Sequence, residues 1–501
     1  MSMFLSFKNI SFSYDTSAKP LFENISASFF RGWTGVIGEN GCGKTTFLRL
    51  ATQILKPCSG NLSSSSSSIY CPQRTDFPPE ELSDFSYALD NHACKLKGVL
   101  GIREDWFSRW ETLSHGERKR TQIAVALWKE PQILAVDEPT NHLDRDARDL
   151  IIASLLAFNG IGLIVSHDRE LLDKLCSKCL FIDHPDVKIY VGNYSKCTSQ
   201  KKIEEETAIA ELQTARRNHE NLKMEIQKRK ELAERAEKNR SKRHIDKNDH
   251  DAKEKIDRYI VSGSDGKAGQ LKRQMKGRFQ RSQEKMLSIK TKKEYEIGIR
   301  LNSKNSGKNC LFRIPEGQLI FGTCKLCHPE LEMYSTDRIA ITGANGTGKS
   351  TLIRHITNIV DIPENKLIYI PQEIDIETSK SIIYATEKLT NDKKARMMSI
   401  IRHLGSDPRR ILATNTPSPG EVRKLIISKG ILQEPHLIIM DEPTNHLDLV
   451  SIECIENALR DCTCGLLLVS HDYTFLKKLT VQQWDITKND KINSLNRKVW
   501  T

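Results

Sequence analysis

No run of apolar residues in this 501-residue chain comes near the roughly 18–20 needed to cross a bilayer. A helical membrane domain is therefore not expected. The first residues, Met1 to Lys8, carry no basic region ahead of an apolar stretch, so no signal peptide is expected either. A disulfide framework is also missing. The thirteen cysteines are scattered along the chain and read as the reduced thiols of a cytoplasmic protein. Cys176-x-x-Cys179 and Cys324-x-x-Cys327 fall in different halves, and neither completes a familiar zinc spacing. With 38% apolar and 28% charged residues, the composition excludes a mostly disordered or collagen-like chain.

The length suits two to four domains of ordinary size. The net charge is +12, and it is unevenly placed. Residues 196–300 hold 29 basic against 18 acidic side chains, which is nearly the whole excess. A solvated helical face needs no net sign. A one-sided excess fits a polyanionic partner such as nucleic acid or the ribosome.

The chain repeats itself. Gly38-Glu39-Asn40-Gly41-Cys42-Gly43-Lys44-Thr45 recurs 305 residues later as Gly343-Ala344-Asn345-Gly346-Thr347-Gly348-Lys349-Ser350. Val136-Asp137-Glu138-Pro139-Thr140-Asn141-His142-Leu143-Asp144 recurs 304 residues later, from Met440-Asp441-Glu442 to Asp448. Val165-Ser166-His167-Asp168 returns at 469–472. Pro72-Gln73 matches Pro371-Gln372 at an offset of only 299, so the first copy holds six extra residues before its glutamine. The serine run from Ser63 to Ser68 lies in that interval and is expected to form a surface hairpin tip.

Each octapeptide follows a β-like run and precedes a helix-like run, the context a phosphate loop requires. The glycines let backbone N–H groups converge on phosphates at a helix N-terminus. Lys44 and Lys349 are placed to reach the β- and γ-phosphates, with Thr46 and Thr351 completing the loops. Thr45 and Ser350, with Asp137 and Asp441, are the expected Mg²⁺ ligands. Glu138 and Glu442 are placed to orient or polarise the attacking water. Gln73 and Gln372 are placed to sense metal and water, and His167 and His471 to contact the γ-phosphate. Cys42, beside a helix N-terminus, is expected to have a lowered pKa.

This set resembles the ATP-binding-cassette ATPases, and the resemblance covers both halves. It implies an α/β fold: two P-loop cassettes that close head to tail around two ATPs. The signature loops would be Leu113-Ser114-His115-Gly116-Glu117 and Pro417-Ser418-Pro419-Gly420-Glu421. The first composite site would then join loop 38–45 to Ser418, Gly420 and Glu421. The second would join loop 343–350 to Ser114, Gly116 and Glu117. His115, Pro417 and Pro419 depart from the family pattern, and a proline removes an N–H donor. Tyr14 looks like the family's adenine-stacking aromatic, with Phe321 a weaker counterpart in the second half.

Chromosome-type cassette proteins interrupt a head with a long coiled coil, and neither head is interrupted here. A soluble tandem pair with a long charged linker resembles the ABC-F family of ribosome-binding ATPases. Asp-Glu-Pro-Thr-Asn-His-Leu-Asp in both halves, Gly116-Glu117-Arg118-Lys119-Arg120 and Gly192-Asn193-Tyr194 carry that resemblance. The expected layout is a cassette at 1–196, a basic helical linker at 197–305 and a second cassette at 306–501. In the linker, Ala208, Leu212, Ala215, His219, Leu222, Ile226, Ala233 and Ala236 keep helical spacing. Met275, Phe279, Ser282, Met286, Ile289 and Ile297 form a second stripe, with Gly263, Gly266 and Gly269 between them. This pattern predicts a helical hairpin with a thin apolar seam and a basic outside.

The resemblance implies that such an arm enters the ribosome, touching rRNA and exit-site tRNA near the peptidyl-transferase centre. Its tip is expected within 244–266, with Ile245, Tyr259, Ile260 and Val261 as contacts. The 249–257 run looks most like the antibiotic-resistance branch. Intramolecular cassette pairing implies a monomer. The rival reading is the ATPase subunit of a membrane exporter, which leaves the basic arm unexplained.

Overall fold

The computed structural model describes residues 3–15, 20–64, 67–141, 143–239, 264–289, 310–374, 376–404, 406, 408, 419–445, 447–489 and 492–500. Among them no helix is long and apolar enough to cross a membrane. The chain divides into two compact units. One is Met1–Cys197 with Tyr295–Thr501, and the other is Thr198–Glu294.

The first half runs β1 (Leu5–Phe12), β2 (Phe22–Phe29), β3 (Gly32–Gly38), α1 (Lys44–Ala51), β4 (Ser59–Ser64), β5 (Ser68–Cys71), α2 (Leu82–Tyr87), α3 (Asn91–Val99), α4 (His115–Trp128), β6 (Ile133–Asp137), α5 (Arg145–Leu156), β7 (Ile161–Val165), α6 (Arg169–Leu175), β8 (Cys176–Asp183) and β9 (Asp186–Val191). Its main sheet has the order β5-β6-β7-β3-β8-β9. The first five strands are parallel, and β8–β9 is an antiparallel hairpin. Strands β6 and β7 are buried at every position, as expected of parallel strands covered on both faces. An antiparallel sheet, β2-β1-β4, lies beside it. Phe7 stacks on Phe47 of α1 at 4.8 Å, joining that small sheet to the phosphate-loop helix.

The serine run is not a hairpin tip. β4 pairs with β1 and β5 pairs with β6, so the run crosses from one sheet to the other. Each flank finds a strand partner outside the pair, and period-2 composition alone cannot distinguish that from a hairpin.

In the second unit, α7 (Tyr194–Asn239) brings the chain into a long helix, and α8 (Ser264–Ser288) follows. The less exposed positions of α7 after its entry include 208, 212, 215, 219, 222 and 226, those of α8 include 275, 279, 282 and 286, and 289 follows just past its end. The His219 and Phe279 rings meet at 4.4 Å. The Arg229 Nη1 approaches Met275 Sδ at 3.1 Å. The seam is narrow: only Ala215 and Met275 are fully buried among the described arm residues. Gly266 and Gly269 lie inside α8 rather than in a turn between the stripes. Their Lys, Ala, Gln and Leu neighbours outweigh a cost of about 1 kcal/mol for each glycine. The arm-tip candidates Ile245, Tyr259, Ile260 and Val261, and with them Gly263 and Ile297, lie outside the described residues.

The second half runs β10 (Cys310–Ile314), β11 (Gly317–Phe321), β12 (Cys324–His328), β13 (Leu331–Tyr334), β14 (Arg338–Gly343), α9 (Lys349–Ile359), β15 (Leu367–Ile370), α10 (Ile376–Glu387), α11 (Asn391–His403), α12 (Pro419–Ile431), β16 (Leu437–Asp441), α13 (Leu449–Arg460), β17 (Gly465–Val469), α14 (Tyr473–Leu479), β18 (Gln482–Thr487) and β19 (Ile492–Val499). The parallel centre β15-β16-β17-β14-β18 repeats that of the first half. Here the sheet grows to eight strands, because β19 also pairs with β12 and so recruits the β11–β12 hairpin.

Candidate functional site

Each phosphate loop leaves the carboxyl end of a central parallel strand, where such sheets bind ligands. In the first copy, Gly41 and Gly43 have φ of 82° and 96°, and in the second Gly346 and Gly348 have 75° and 99°. At Gly43 an added Cβ would sit 2.8 Å from the Phe22 ring, and at Gly348 2.8 Å from the Phe321 ring. Only glycine fits either position. Phe321 thus packs against the loop itself. Tyr14 is exposed beside the first turn of α1, with its hydroxyl 2.9 Å from Thr46 Oγ1.

Both loop lysines curl back on their own loops. Lys44 Nζ donates to the carbonyls of Gly38 (2.8 Å) and Glu39 (3.1 Å). Lys349 Nζ donates to those of Gly343 (2.8 Å) and Ala344 (3.0 Å). Thr45 Oγ1 donates to Asp137 Oδ2 at 2.7 Å, and a Ser350–Asp441 hydrogen bond repeats the pair. A hydroxyl beside a carboxylate is the donor type a hard divalent cation takes, so these residues fit Mg²⁺.

The acids after the Asp positions are unusual in both backbone and charge. Glu138 and Glu442 have φ of 46° and 51°, the left-handed region, at a cost of about 1–2 kcal/mol each. Their N–H groups donate to Val165 and Val469 of the adjacent strand, both at 2.9 Å. The His167 and His471 N–H groups donate to Glu138 Oε2 (3.2 Å) and Glu442 Oε2 (3.3 Å). The imidazole Nε2 atoms lie 3.1 and 3.5 Å from the respective Oε1 atoms without hydrogen-bond geometry. Burial, aided by Asp137, pushes the Glu138 carboxyl up to about 8. Burial, aided by Asp441 and opposed by Lys349, pushes Glu442 up to about 8. A carboxyl with that pKa is poised for proton transfer near neutral pH.

The structure brings His471 to the second loop, with Nε2 3.0 Å from Asn345 Oδ1 and 3.5 Å from Lys349 Nζ. The Gln73 and Gln372 side chains are exposed. Their loops are instead tied by the backbone. Lys119, fully buried on α4, donates from Nζ to Pro72 O (2.7 Å) and Asp137 O (3.2 Å). At the matching place on α12, buried Arg423 donates to the carbonyls of Gln372 and Asn445. Sequence reasoning missed these two cations. It also missed Tyr70, whose hydroxyl donates to Asp137 Oδ2 at 3.1 Å. The signal was available: Tyr70 and Tyr369 each stand three residues before the paired glutamine.

Ser114 caps α4 in a reciprocal box with Glu117, whose Oε2 accepts from Ser114 N and Oγ, both at 2.8 Å. Gly116 packs on Leu143, and an added Cβ there would come within 3.0 Å. Ser418 lies outside the described residues. Pro419 opens α12 as its first helical residue, where a missing N–H removes no intrahelical bond. Gly420 is buried and Glu421 half-buried. Cys42 is buried, and that burial pushes its thiol up rather than down. Lys44 pulls the other way and is outweighed, which corrects the expectation drawn from the helix end alone.

The cassettes meet at these loops. Asn40 N donates to Asp448 Oδ2 of the second cassette at 2.8 Å. Asp144 of the first cassette acts electrostatically on Lys349. Arg169 Nη1 donates to Glu456 Oε1 at 2.6 Å with both side chains buried, and Lys478 takes the other oxygen at 2.9 Å. Tyr194, at the start of α7, reaches Glu453 at 3.3 Å. Among the described residues no group of three or more His, Cys, Asp or Glu side chains is placed to hold a metal ion.

Two phosphate loops, each backed by a strand-end Asp-Glu pair and a histidine, define a tandem P-loop nucleotide-binding protein. The family model described as ABC transporter matches twice, at residues 22–141 and 326–445. The ribosome protection protein VmlR of Bacillus subtilis (strain 168) is 27% identical over 97% of this chain and 87% of its own. The erythromycin resistance ATP-binding protein MsrA of Staphylococcus epidermidis is 26% identical over 90% of this chain and 91% of its own. An archaeal ribosome recycling factor, aABCE1, solved with the stalk protein aP1, superposes with a TM-score of 0.63 at 17% identity. That match covers 97% of this chain and 89% of that one, and it speaks for the fold. Both halves of the chain are thus ATP-binding-cassette domains, and the full-length proteins it resembles are ABC-F proteins. It binds nucleotide and is an ATP hydrolase.

Proposed function

We propose that the chain is a cytoplasmic, monomeric, ATP-dependent ribosome-binding protein whose two cassettes clamp two ATPs and drive the basic arm into the ribosome. The observation that carries this reading is the arm itself. A basic two-helix unit with almost no core is explained by a polyanionic partner. The relative named for ribosome protection supports the same partner. The binding region would be the tRNA exit site near the peptidyl-transferase centre, with rRNA and exit-site tRNA as contacts, and the outcome drug protection or translational control.

In each site, the loop N–H groups and the helix N-terminus would hold the phosphates. Lys44 or Lys349 would exchange its loop carbonyls for phosphate oxygens. Thr45 with Asp137, and Ser350 with Asp441, would hold Mg²⁺, which would supply neutralisation of phosphate charge. Glu138 or Glu442 would take the proton of the attacking water, and the raised carboxyl pKa suits that transfer. The adjacent histidine would fix the carboxylate's rotamer. Closed cassettes favour the inserted arm, and hydrolysis releases it.

Deleting 205–295 tests the reading. Ribosome binding should be lost and nucleotide binding kept. Ribosome binding that survives the deletion contradicts it. Translation assays with and without peptidyl-transferase inhibitors then separate drug protection from general control.

A further inference from the structure

Among the described residues the three most exposed large apolar side chains are Leu89 at 86%, Phe77 at 85% and Tyr87 at 83%. All three fall in one short segment around α2 of the first cassette. That segment is firmly anchored from below. Leu82 and Phe85 are buried, and Phe85 meets Phe107 at 6.0 Å and Trp128 at 5.6 Å. Lys97 lies over the Phe85 ring at 5.2 Å and donates to the carbonyls of Ser86 (3.0 Å) and Ala88 (2.9 Å). The anchor holds the backbone while Phe77, Tyr87 and Leu89 face water.

The same segment is acidic. Residues 75–94 hold Asp76, Glu80, Glu81, Asp84 and Asp90 and no lysine or arginine, within a chain of net charge +12. Glu81 pairs with Lys129, and Asp90 caps α3. Asp76, Glu80 and Asp84 are exposed and make no ion pair among the described residues. Among the described residues the second cassette does not repeat the patch. In its corresponding helix α10, Tyr384 is 59% exposed and Lys388 lies over its ring at 4.1 Å. Lys380 makes that helix's charge mixed. ATP chemistry is repeated in both halves, so an unrepeated patch serves something else.

Exposed apolar and aromatic groups on a rigid frame mark a contact surface. The acidic rim sets its partner. A phosphate backbone would be repelled, whereas a lysine- or arginine-rich protein surface would be steered in. We propose that Phe77, Tyr87 and Leu89, framed by Asp76, Glu80 and Asp84, form a docking surface for a basic protein. Resting on the ribosome reading above, that partner is a basic protein of the ribosome rather than its RNA. The arm then takes nucleic acid and the first cassette takes protein.

The test uses a Phe77→Ser/Tyr87→Ser/Leu89→Ser variant of the full chain, whose ATPase should be unchanged. A fluorescent lysine/leucine amphipathic peptide is titrated against both proteins, with no ribosome present. The variant should bind about tenfold or more weakly, the loss of an aromatic anchor. Equal binding by both proteins, or no binding to the wild type, overturns the proposal. In a second arm, Tyr87 is replaced by photoreactive benzoyl-phenylalanine in a hydrolysis-deficient background, and pelleted ribosome complexes are irradiated. Crosslinks should fall on ribosomal protein. Crosslinks to rRNA, or none from a complex that pellets, overturn it. Failure to pellet at all counts against the ribosome reading, and the peptide titration still decides the surface.

Discussion

In the first cassette the buried cation behind the Asp-Glu pair is Lys119, and in the second it is Arg423. Both hold a carbonyl of the glutamine loop, but with different donor geometry. Lys119 also holds Asp137 O, whereas Arg423 reaches Asn445 O. His471 touches Asn345 of its phosphate loop, and α12 opens on a proline where α4 opens on a capping box. The left-handed glutamates, the curled lysines and the hydroxyl–Asp pairs are shared. Groups around the two loops are thus duplicated almost atom for atom. The supports around them, and the outer face at 77–89, have diverged. Two sites can share a chemistry and still differ in how each is braced.

The largest effect should come from the shared chemistry. Glu138→Gln and Glu442→Gln should each lower the turnover of their own site by about 100-fold or more. Single-turnover assays of the two variants would show whether the sites are equivalent. One variant retaining the full wild-type rate would break the symmetry. The next effect lies in the braces. Lys119→Met leaves the Pro72 and Asp137 carbonyls without their buried donor and should cost about 1–3 kcal/mol in denaturant unfolding. Lys119→Arg should recover much of that, since Arg423 does the same work in the other half. A loss as large in Lys119→Arg as in Lys119→Met would mean the two braces are not equivalent.

A third effect follows from the raised glutamates. The unfolded carboxyls ionise near the ordinary 4.5 and the folded ones near about 8. Between those values the folded state holds more protons, so its stability should fall as pH rises. In nucleotide-free protein, the Glu138→Gln/Glu442→Gln double variant should flatten that fall in thermal melts. An unchanged pH slope would contradict the burial account. The smallest effect distinguishes Cys42 from Thr347. Buried and protonated, Cys42 should alkylate more slowly than the exposed Cys58 and Cys94. Once modified, it should block ATP binding at the first loop only. Full ATPase activity after stoichiometric labelling of Cys42 would contradict that placement.

Much of this was legible in the sequence because it was written twice. The strands before Gly38 and Gly343, the buried runs before Asp137 and Asp441, and the apolar stripe from Ala208 to Ile226 all follow local periodicity. The misses need tertiary context. Nothing local tells that the serine run joins two sheets. Glu138 combines a left-handed φ with a hydrogen bond to Val165 on a neighbouring strand, a partner far away in sequence. Lys119 reads as one of three basic residues in a row, and only the fold buries it. Cys42 sits at a helix end that should favour the thiolate, and burial outweighs it.

If the proposed function holds, ATP-closed cassettes place the basic arm on the ribosome. The most direct test is sedimentation of the Glu138→Gln/Glu442→Gln variant with purified ribosomes, with and without ATP, across a salt series. Pelleting should require ATP and weaken steeply as salt rises. A variant that binds ATP yet stays in the supernatant at every salt concentration would contradict it.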